Sequence, residues 1–416
     1  MSKVVVIGGG IIGLSSAYYL RKSGWDVTVV DQNDFSNNCS YGNAGYVCPS
    51  HFIPLASPGI VQQGLRWMLN PQSPFYIQPR LSWPLMNWGI KFLQSANAKH
   101  VENSAIPLRD AALISQRCYE ELAKTPDFDF AYEHKGLFEL FHTKENAAHG
   151  PELVEKALAL GLDTAYLTAE EVQAMEPQTQ LDVQGAVFFK CDAHLYPNKL
   201  MHQMISWLKA HEVTLKPFEE AIKFETTNGK INRVITTQNE YPTDAVVLAT
   251  GSWSRETAAL MDLNIPLMPG RGYSITLENA PYKLNYPAIL VEGRVAITPM
   301  DGNKIRFGGT MEIVSTNKKP NFNRVHGILN AVKQFIPAFD IPFPEEKDIW
   351  FGYRPCSPDG LPFIGRTEKV KNCIVATGHA MVGLSLGAGT GKMVDDLLNE
   401  RPQEMDLTPF KVERFG

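Results

Sequence analysis

The sequence predicts an α/β fold of two interleaved domains, one built on a parallel sheet and the other an α+β unit with a mixed, largely antiparallel sheet. Three observations predict it. A short β-branched run, Lys3-Val4-Val5-Val6-Ile7, leads directly into the glycine-rich Gly8-Gly9-Gly10-Ile11-Ile12-Gly13. Two distant apolar runs, 245–250 and 373–377, also stop at a glycine, Gly251 and Gly378. Between them, residues 271–277, 288–298 and 304–310 alternate apolar and polar side chains, the period of half-exposed antiparallel strands. At roughly 100–200 residues per domain, a chain of 416 residues fits two or three domains.

In order, 3–7 reads as a buried parallel strand, 14–23 as a helix ended by Gly24, and 25–31 as a second strand. This is a complete βαβ unit. Residues 49–90, with Pro71 among many prolines and aromatics, read as ordered loop and short helix. Helices follow at 101–125 and 145–161, with a strand at 136–141 between them. A second α/β block starts near Asp192. Pro197 suits the first turn of a helix running to about His211. Strands follow at 213–218, 221–226 and 231–237, the last two joined by an Asn228-Gly229 hairpin signal. After the alternating strands come a helix at 324–336, a strand at 373–377, a turn and a helix at 384–399. The expected division gives 1–57, 192–265 and 350–416 to the first domain, and 58–191 and 266–349 to the second.

Composition narrows the function classes. Lys+Arg is 39 and Asp+Glu 44, a formal charge of −5, so general nucleic-acid binding is not expected. No run of about 18 uncharged apolar residues suggests a spanning helix. The first residues lack the pattern of a signal peptide. The 6 cysteines are scattered without a CxxC pair, so reduced thiols in a reducing, cytoplasmic compartment are expected, and no metal site.

Gly8, Gly10 and Gly13 fit GxGxxG. The first permits a tight turn, the second lets a pyrophosphate approach the backbone, and the third packs helix on strand. The helix N-terminus offers N–H groups and partial positive charge to phosphates. Asp31, with Gln32 beside it, ends the second strand where a carboxylate binds ribose hydroxyls. A Rossmann-like dinucleotide site follows. The returns at Gly251 and at Gly378-His379-Ala380-Met381-Val382-Gly383-Leu384 favour FAD over NAD, since a flavin needs contacts from distant parts of the chain. A helix starting near Gly383–Leu384 would aim N–H groups at the negative charge of a reduced flavin.

Val4–Asp31, Cys39-Ser40-Tyr41-Gly42-Asn43-Ala44-Gly45, Gly272-Tyr273-Ser274, Gly308-Gly309-Thr310-Met311-Glu312, Gly352–Gly360 and Gly378–Leu384 together resemble the D-amino-acid oxidase superfamily of FAD flavoproteins. Within it they are most similar to bacterial D-amino-acid dehydrogenases. The resemblance implies that Ser40, Asn43, Ala44 and Gly45 lie beside the flavin, and that Met381, Val382, Gly383 and Leu384 run under its pyrimidine end. Tyr353-Arg354-Pro355 matches the segment whose arginine holds the substrate carboxylate. A planar guanidinium does this through two parallel hydrogen bonds. The family's substrate tyrosine has no counterpart in 293–299, which leaves Tyr273 or His51 as the second donor. The cysteine tether of sarcosine oxidases matches Gly352, with Cys356 misplaced, so non-covalent FAD is expected. His379 is either a proton acceptor beside the flavin or a packed, hydrogen-bonded residue.

The implied reaction is oxidation of a D-amino acid by hydride transfer from Cα to flavin N5. Cyclic substrates such as D-proline or hydroxy-D-proline belong to the expected class. Electrons pass to a quinone or other carrier. The alternatives are an oxygen-using glycine- or sarcosine-type oxidase and a flavin-bearing subunit of a larger complex. The segment Leu65, Trp67, Met68, Leu69, Trp83, Leu85, Met86, Trp88, Ile90, Phe92 and Leu93 is either second-domain packing or an amphipathic patch touching the inner face of the cytoplasmic membrane.

Overall fold

The structure, a computed structural model, describes residues 1–68, 70 and 72–416. Leu69, Pro71 and the side chain of Leu65, all in the aromatic segment, lie outside the described residues. Two large sheets dominate. The first has 6 strands in the order Phe363–Arg366, Cys373–Thr377, Ala245–Leu248, Lys3–Ile7, Asp26–Val30 and Thr214–Lys216. All its pairings are parallel except that of the edge strand Phe363–Arg366. Val4 and Val6 face one core and Val5 and Ile7 the other, so the run is apolar throughout.

On one side of this sheet pack the helices Ile11–Lys22, Gly387–Leu398 and Ala98–Ala123. Glycines set their approach. A Cβ at Gly389 would meet the Ser115 backbone at 2.8 Å, and one at Gly391 would meet the Ser15 backbone at 2.6 Å. On the other side lies a 3-stranded antiparallel sheet of Ala221–Thr227, Lys230–Thr236 and Glu240–Pro242. Its hairpin turns at Asn228 and Gly229, both with positive φ, as the primed turns of two-residue hairpins require.

The second large sheet has 9 strands. Ile349–Cys356, Met268–Leu277, Ile305–Ile313, Val295–Pro299 and Ala288–Leu290 run antiparallel in that order; Leu137–Phe141, Gly185–Phe189 and Thr164–Thr168 continue it, and Phe75–Ile77 pairs with Ile305–Ile313. Helix Asn323–Phe335 covers its outer face through Val325, Ile328, Val332 and Phe335.

Several elements differ from the sequence expectation. The run 288–298 is two strands, because Arg294 takes a positive φ of 49° in the turn between them. The span 145–161 divides into Lys144–Ala147 and Gly150–Ala159, with Pro151 in the first turn of the second helix. The terminal helix starts at Gly387, after a 3-10 turn at Ala380–Val382. The expected domain boundary at residue 350 falls inside Ile349–Cys356, which pairs with Met268–Leu277 in the second large sheet. The chain returns to the first sheet at Phe363.

Candidate active site

A cavity of about 1190 Å³ runs between the two large sheets. Its first end is walled by Gly8, Gly10, Ile11 and Ile12 at the start of helix Ile11–Lys22, by Asp31 and Gln32 after the second strand, and by Gly251. The fit to a dinucleotide rests on this cradle. A Cβ at Gly10 would meet only Ser40 Oγ, at 3.7 Å, so the absent side chain leaves open space. The amides of Gly10 and Ile12 have no acceptor among the described residues, while that of Ile11 donates to Ser40 Oγ at 3.0 Å. Asp31 accepts from the Gly9 and Asn33 amides at 2.6 and 2.7 Å. Burial raises its pKa against the pull of those two bonds. Gly13 is not on the wall. Its missing Cβ would stand 1.9 Å from the Gly8 carbonyl oxygen, so it serves the close approach of helix to strand.

The loop through Ser40, Asn43 and Ala44 forms the next part of the wall. Asn43 Oδ1 accepts from the Gly45 amide at 2.8 Å. Gly45 lies behind the wall, with φ 85° and its Cα hydrogen side packed on the Leu195 carbonyl. The second sheet holds this loop. Arg306 donates to the carbonyls of Tyr41 and Asn43 at 2.8 and 2.7 Å, and Thr298 Oγ1 donates to the Ala44 carbonyl at 2.7 Å. No carboxylate pairs with Arg306 among the described residues, and burial lowers its pKa to about 10.

Met381, Val382, Gly383 and Leu384 close the cavity from the C-terminal side. The amides of Gly383, Leu384 and Ser385 find no acceptor among the described residues. Free donors are therefore present although the helix itself begins later than expected. Gly378 lies behind the wall, its φ of 79° turning the chain beside Phe363. His379 is packed: Nε2 meets Thr390 Oγ1 at 3.0 Å, and burial pushes its pKa down to about 3.

The far end of the cavity holds Arg354. One nitrogen donates to the Thr310 carbonyl at 2.5 Å, and the guanidinium lies flat over Gly272, where a Cβ would come within 2.2 Å of it. No carboxylate pairs with it among the described residues, and burial lowers its pKa. A buried cation without a counter-ion is costly unless a ligand supplies one. The remaining donors of its fork match a carboxylate.

Tyr273 is not the second donor. The unbroken pairing of Met268–Leu277 with Ile349–Cys356 sets Gly270 opposite Arg354 and Arg271 opposite Tyr353. Alternation along the strand therefore turns Tyr273 to the face away from Arg354. There its hydroxyl donates to Glu312 at 2.8 Å and accepts from the Asn321 amide at 2.8 Å. Arg271 and Arg324 bind the same Glu312 in a buried network. His51 does line the cavity. Its Nδ1 has no partner among the described residues, and burial lowers its pKa to about 4. The ligand-type atoms of Cys48, His51 and Asp192 lie within 4.8 Å of one another, a cluster that spacing along the chain hides. Asp192 already accepts from the Ser50 amide and hydroxyl.

Several charged residues on the wall carry no mark of the site in the sequence, Glu139 and Arg294 among them. Glu139 sits in Leu137–Phe141, and burial raises its pKa to about 7. Arg294 stands in the turn before Val295, stacked 5.3 Å from the Trp67 ring. The only signal for Glu139 was a single acid inside Leu-Phe-Glu-Leu-Phe.

A nucleotide cradle joined to an anion-ready cavity across two interleaved sheets defines a two-domain flavoenzyme of the oxidoreductase class. The model of the FAD dependent oxidoreductase family matches residues 3–397, and the chain belongs to that family. It is 28% identical to a D-amino acid dehydrogenase of Vibrio atlanticus over 99% of this chain and 100% of the relative. It is 31% identical to one from Helicobacter pylori, over 97% and 96%. Among solved structures, glycine oxidase from Geobacillus kaustophilus superposes with a TM-score of 0.76 at 23% identity, covering 100% of this chain and 99% of that one. L-proline dehydrogenase from P. horikoshii gives 0.73 at 20% identity, covering 100% and 97%. These structures share the fold.

Proposed function

We propose that this chain is a D-amino-acid dehydrogenase with non-covalently held FAD. The observation that carries the reading is Arg354, a half-buried guanidinium on the cavity wall that pairs with no carboxylate among the described residues. It holds the substrate carboxylate and so fixes which face of Cα is turned toward the cofactor. FAD, when bound, supplies the two-electron acceptor for the Cα–H bond as the C–N bond becomes an imine. Gly10, Ile12 and the Ser40–Ala44 loop hold its phosphates and ring, and the Gly383–Ser385 amides stabilise negative charge on it. His51, with its pKa held low, is neutral at pH 7 and offers a hydrogen bond to a ligand in the cavity. The second sheet excludes water. Cys356, the cysteine nearest in sequence to the tether position, is fully buried, with its thiol against Met311 and off the cavity wall, which supports non-covalent binding.

Substrates in this reading are small D-amino acids, cyclic ones such as D-proline or hydroxy-D-proline included, and the acceptor is a quinone or another carrier. The location is cytoplasmic, against the membrane. Among the described residues no helix is long and apolar enough to cross a membrane. The membrane contact is supported by helix Trp83–Ser95. Trp88 anchors its inner face to the Cys356 carbonyl at 2.9 Å, while Trp83, Met86, Ile90 and Leu93 stand exposed along its outer face. Trp83 is 73% exposed. The test is a panel of D- and L-amino acids given to the purified, FAD-loaded protein without oxygen. D-substrates should bleach the flavin, and a quinone analogue should restore the colour much faster than air. Rapid stoichiometric peroxide instead makes the protein an oxidase.

A further inference from the structure

The turn after strand Tyr46–Val47 has a Cys-x-x-His spacing, Cys48-Pro49-Ser50-His51. It closes on itself, the His51 amide donating to the Cys48 carbonyl at 3.3 Å. Asp192 arrives from a distant part of the chain. Tyr46–Val47 pairs antiparallel with Ala193–His194, Val47 opposite Ala193, so the next step brings Cys48 level with Asp192. One ligand-type atom from each of Cys48, His51 and Asp192 lies within 4.8 Å of the other two.

The cluster keeps bonding capacity that the protein does not use. His51 Nδ1 is shielded from solvent and has no hydrogen-bond partner among the described residues. Asp192 is fully buried, and no lysine or arginine pairs with it among the described residues. Its oxygens accept from the Ser50 amide at 3.1 Å, the Ser50 hydroxyl at 2.5 Å and the Cys191 thiol at 3.6 Å. A carboxylate offers about four lone-pair positions, so capacity remains. Outer bonds of this kind hold a ligating carboxylate in place. Cys48 and His51 line the cavity while Asp192 stands behind its wall, so the cluster opens on the cavity side.

We propose that Cys48, His51 and Asp192 bind a thiophilic divalent cation, zinc above others, in the cavity wall. Sulfur, imidazole and carboxylate together suit zinc, whereas magnesium and calcium take oxygen ligands. Ligand atoms around tetrahedral zinc stand about 3.5 Å apart, so the three side chains close by about 1.3 Å at most. The Cys48 thiol gives its proton to solvent as the sulfur–metal bond forms. Thiolate and carboxylate then neutralise the doubly charged ion, so no net charge is buried. Three protein ligands leave a fourth position open toward the cavity, where water or a ligand atom fills it.

The test uses the FAD-loaded protein, first freed of metal by a chelator. Zinc, competed against a chromophoric chelator, should bind at one ion per chain. Cobalt(II) should give a sulfur-to-cobalt charge-transfer band, and tetrahedral d–d bands to the red of the flavin absorption. Cys48→Ser should abolish the charge-transfer band. It should weaken zinc binding by more than the roughly 10- to 100-fold lost with an outer partner. His51→Gln and Asp192→Asn should weaken zinc to a similar extent, whereas Cys191→Ser should keep the cobalt spectrum. Flavin absorbance and melting temperature report whether each variant is folded. Should a variant lose its fold, the cobalt spectrum of the parent protein still decides. Absence of stoichiometric zinc binding, a cobalt complex without the sulfur band, or zinc affinity unchanged in folded Cys48→Ser and His51→Gln overturns the site.

Discussion

Arg354 and Gly272 act as one unit. The guanidinium can lie flat only because Gly272 has no side chain, so Gly272→Ala must lift it off the strand. Losing two charge-assisted hydrogen bonds at about 1.5–3 kcal/mol each lowers kcat/KM by roughly two to four orders of magnitude. Arg354→Met should show that fall with FAD occupancy unchanged, and Arg354→Lys should recover little, since an ammonium cannot reproduce the planar fork. Gly272→Ala should approach the same loss without touching substrate. Normal kcat/KM in Arg354→Met would exclude the arginine from the site, and lost flavin would make it structural. The place of Arg354 on the cavity wall was legible in the sequence because a motif surrounds it. Tyr273 was misread because strand parity was unknown without the partner strand. Glu139 was unread because the charges that act on it, Asp192 and Arg294, are distant in the chain.

At the scale of the element, one glycine motif contains two different constraints. A methyl at Gly10 fits the protein and projects into the cavity, whereas a methyl at Gly13 strikes the Gly8 carbonyl oxygen at 1.9 Å. Gly10→Val should therefore give a folded, colourless protein, and Gly13→Val a protein of lowered thermal midpoint before cofactor is considered. Flavin absorbance and melting temperature on the same preparations separate the two; a yellow Gly10→Val protein would remove the pyrophosphate from that position. The βαβ unit and the strands ending at Gly251 and Gly378 were legible because apolar runs stop at glycines. Strands Thr164–Thr168 and Gly185–Phe189 were not. They lie at one end of the second large sheet, and their short runs carry no turn signal strong enough to separate them from loop. The split at Arg294 escaped because a positive φ outside glycine leaves no mark in a polar-apolar pattern.

For the whole molecule, stability should depend on pH through buried histidine. His379 has a folded pKa near 3, below its unfolded value of about 6.5. The unfolded chain therefore binds more protons between these values, and stability falls as pH drops through that window. By pH 5 this residue alone removes about 2 kcal/mol. His379→Gln, which can keep the bond to Thr390, should narrow the gap in melting temperature between pH 7 and pH 5. An unchanged gap would place the acid sensitivity elsewhere.

The cavity has a temporal consequence for the cell. Its wall runs from Ile7 to Ser385, nearly the whole chain, and the parallel sheet beneath it is completed only by Cys373–Thr377. A ribosome translating this message from the first codon exposes the phosphate cradle long before the closing turn exists. Half-made chains thus lack the closing turn that completes the site for the vitamin-derived cofactor. Riboflavin shortage would then burden the cell with finished but unloaded protein, open at the seam between its two sheets and exposed to proteases.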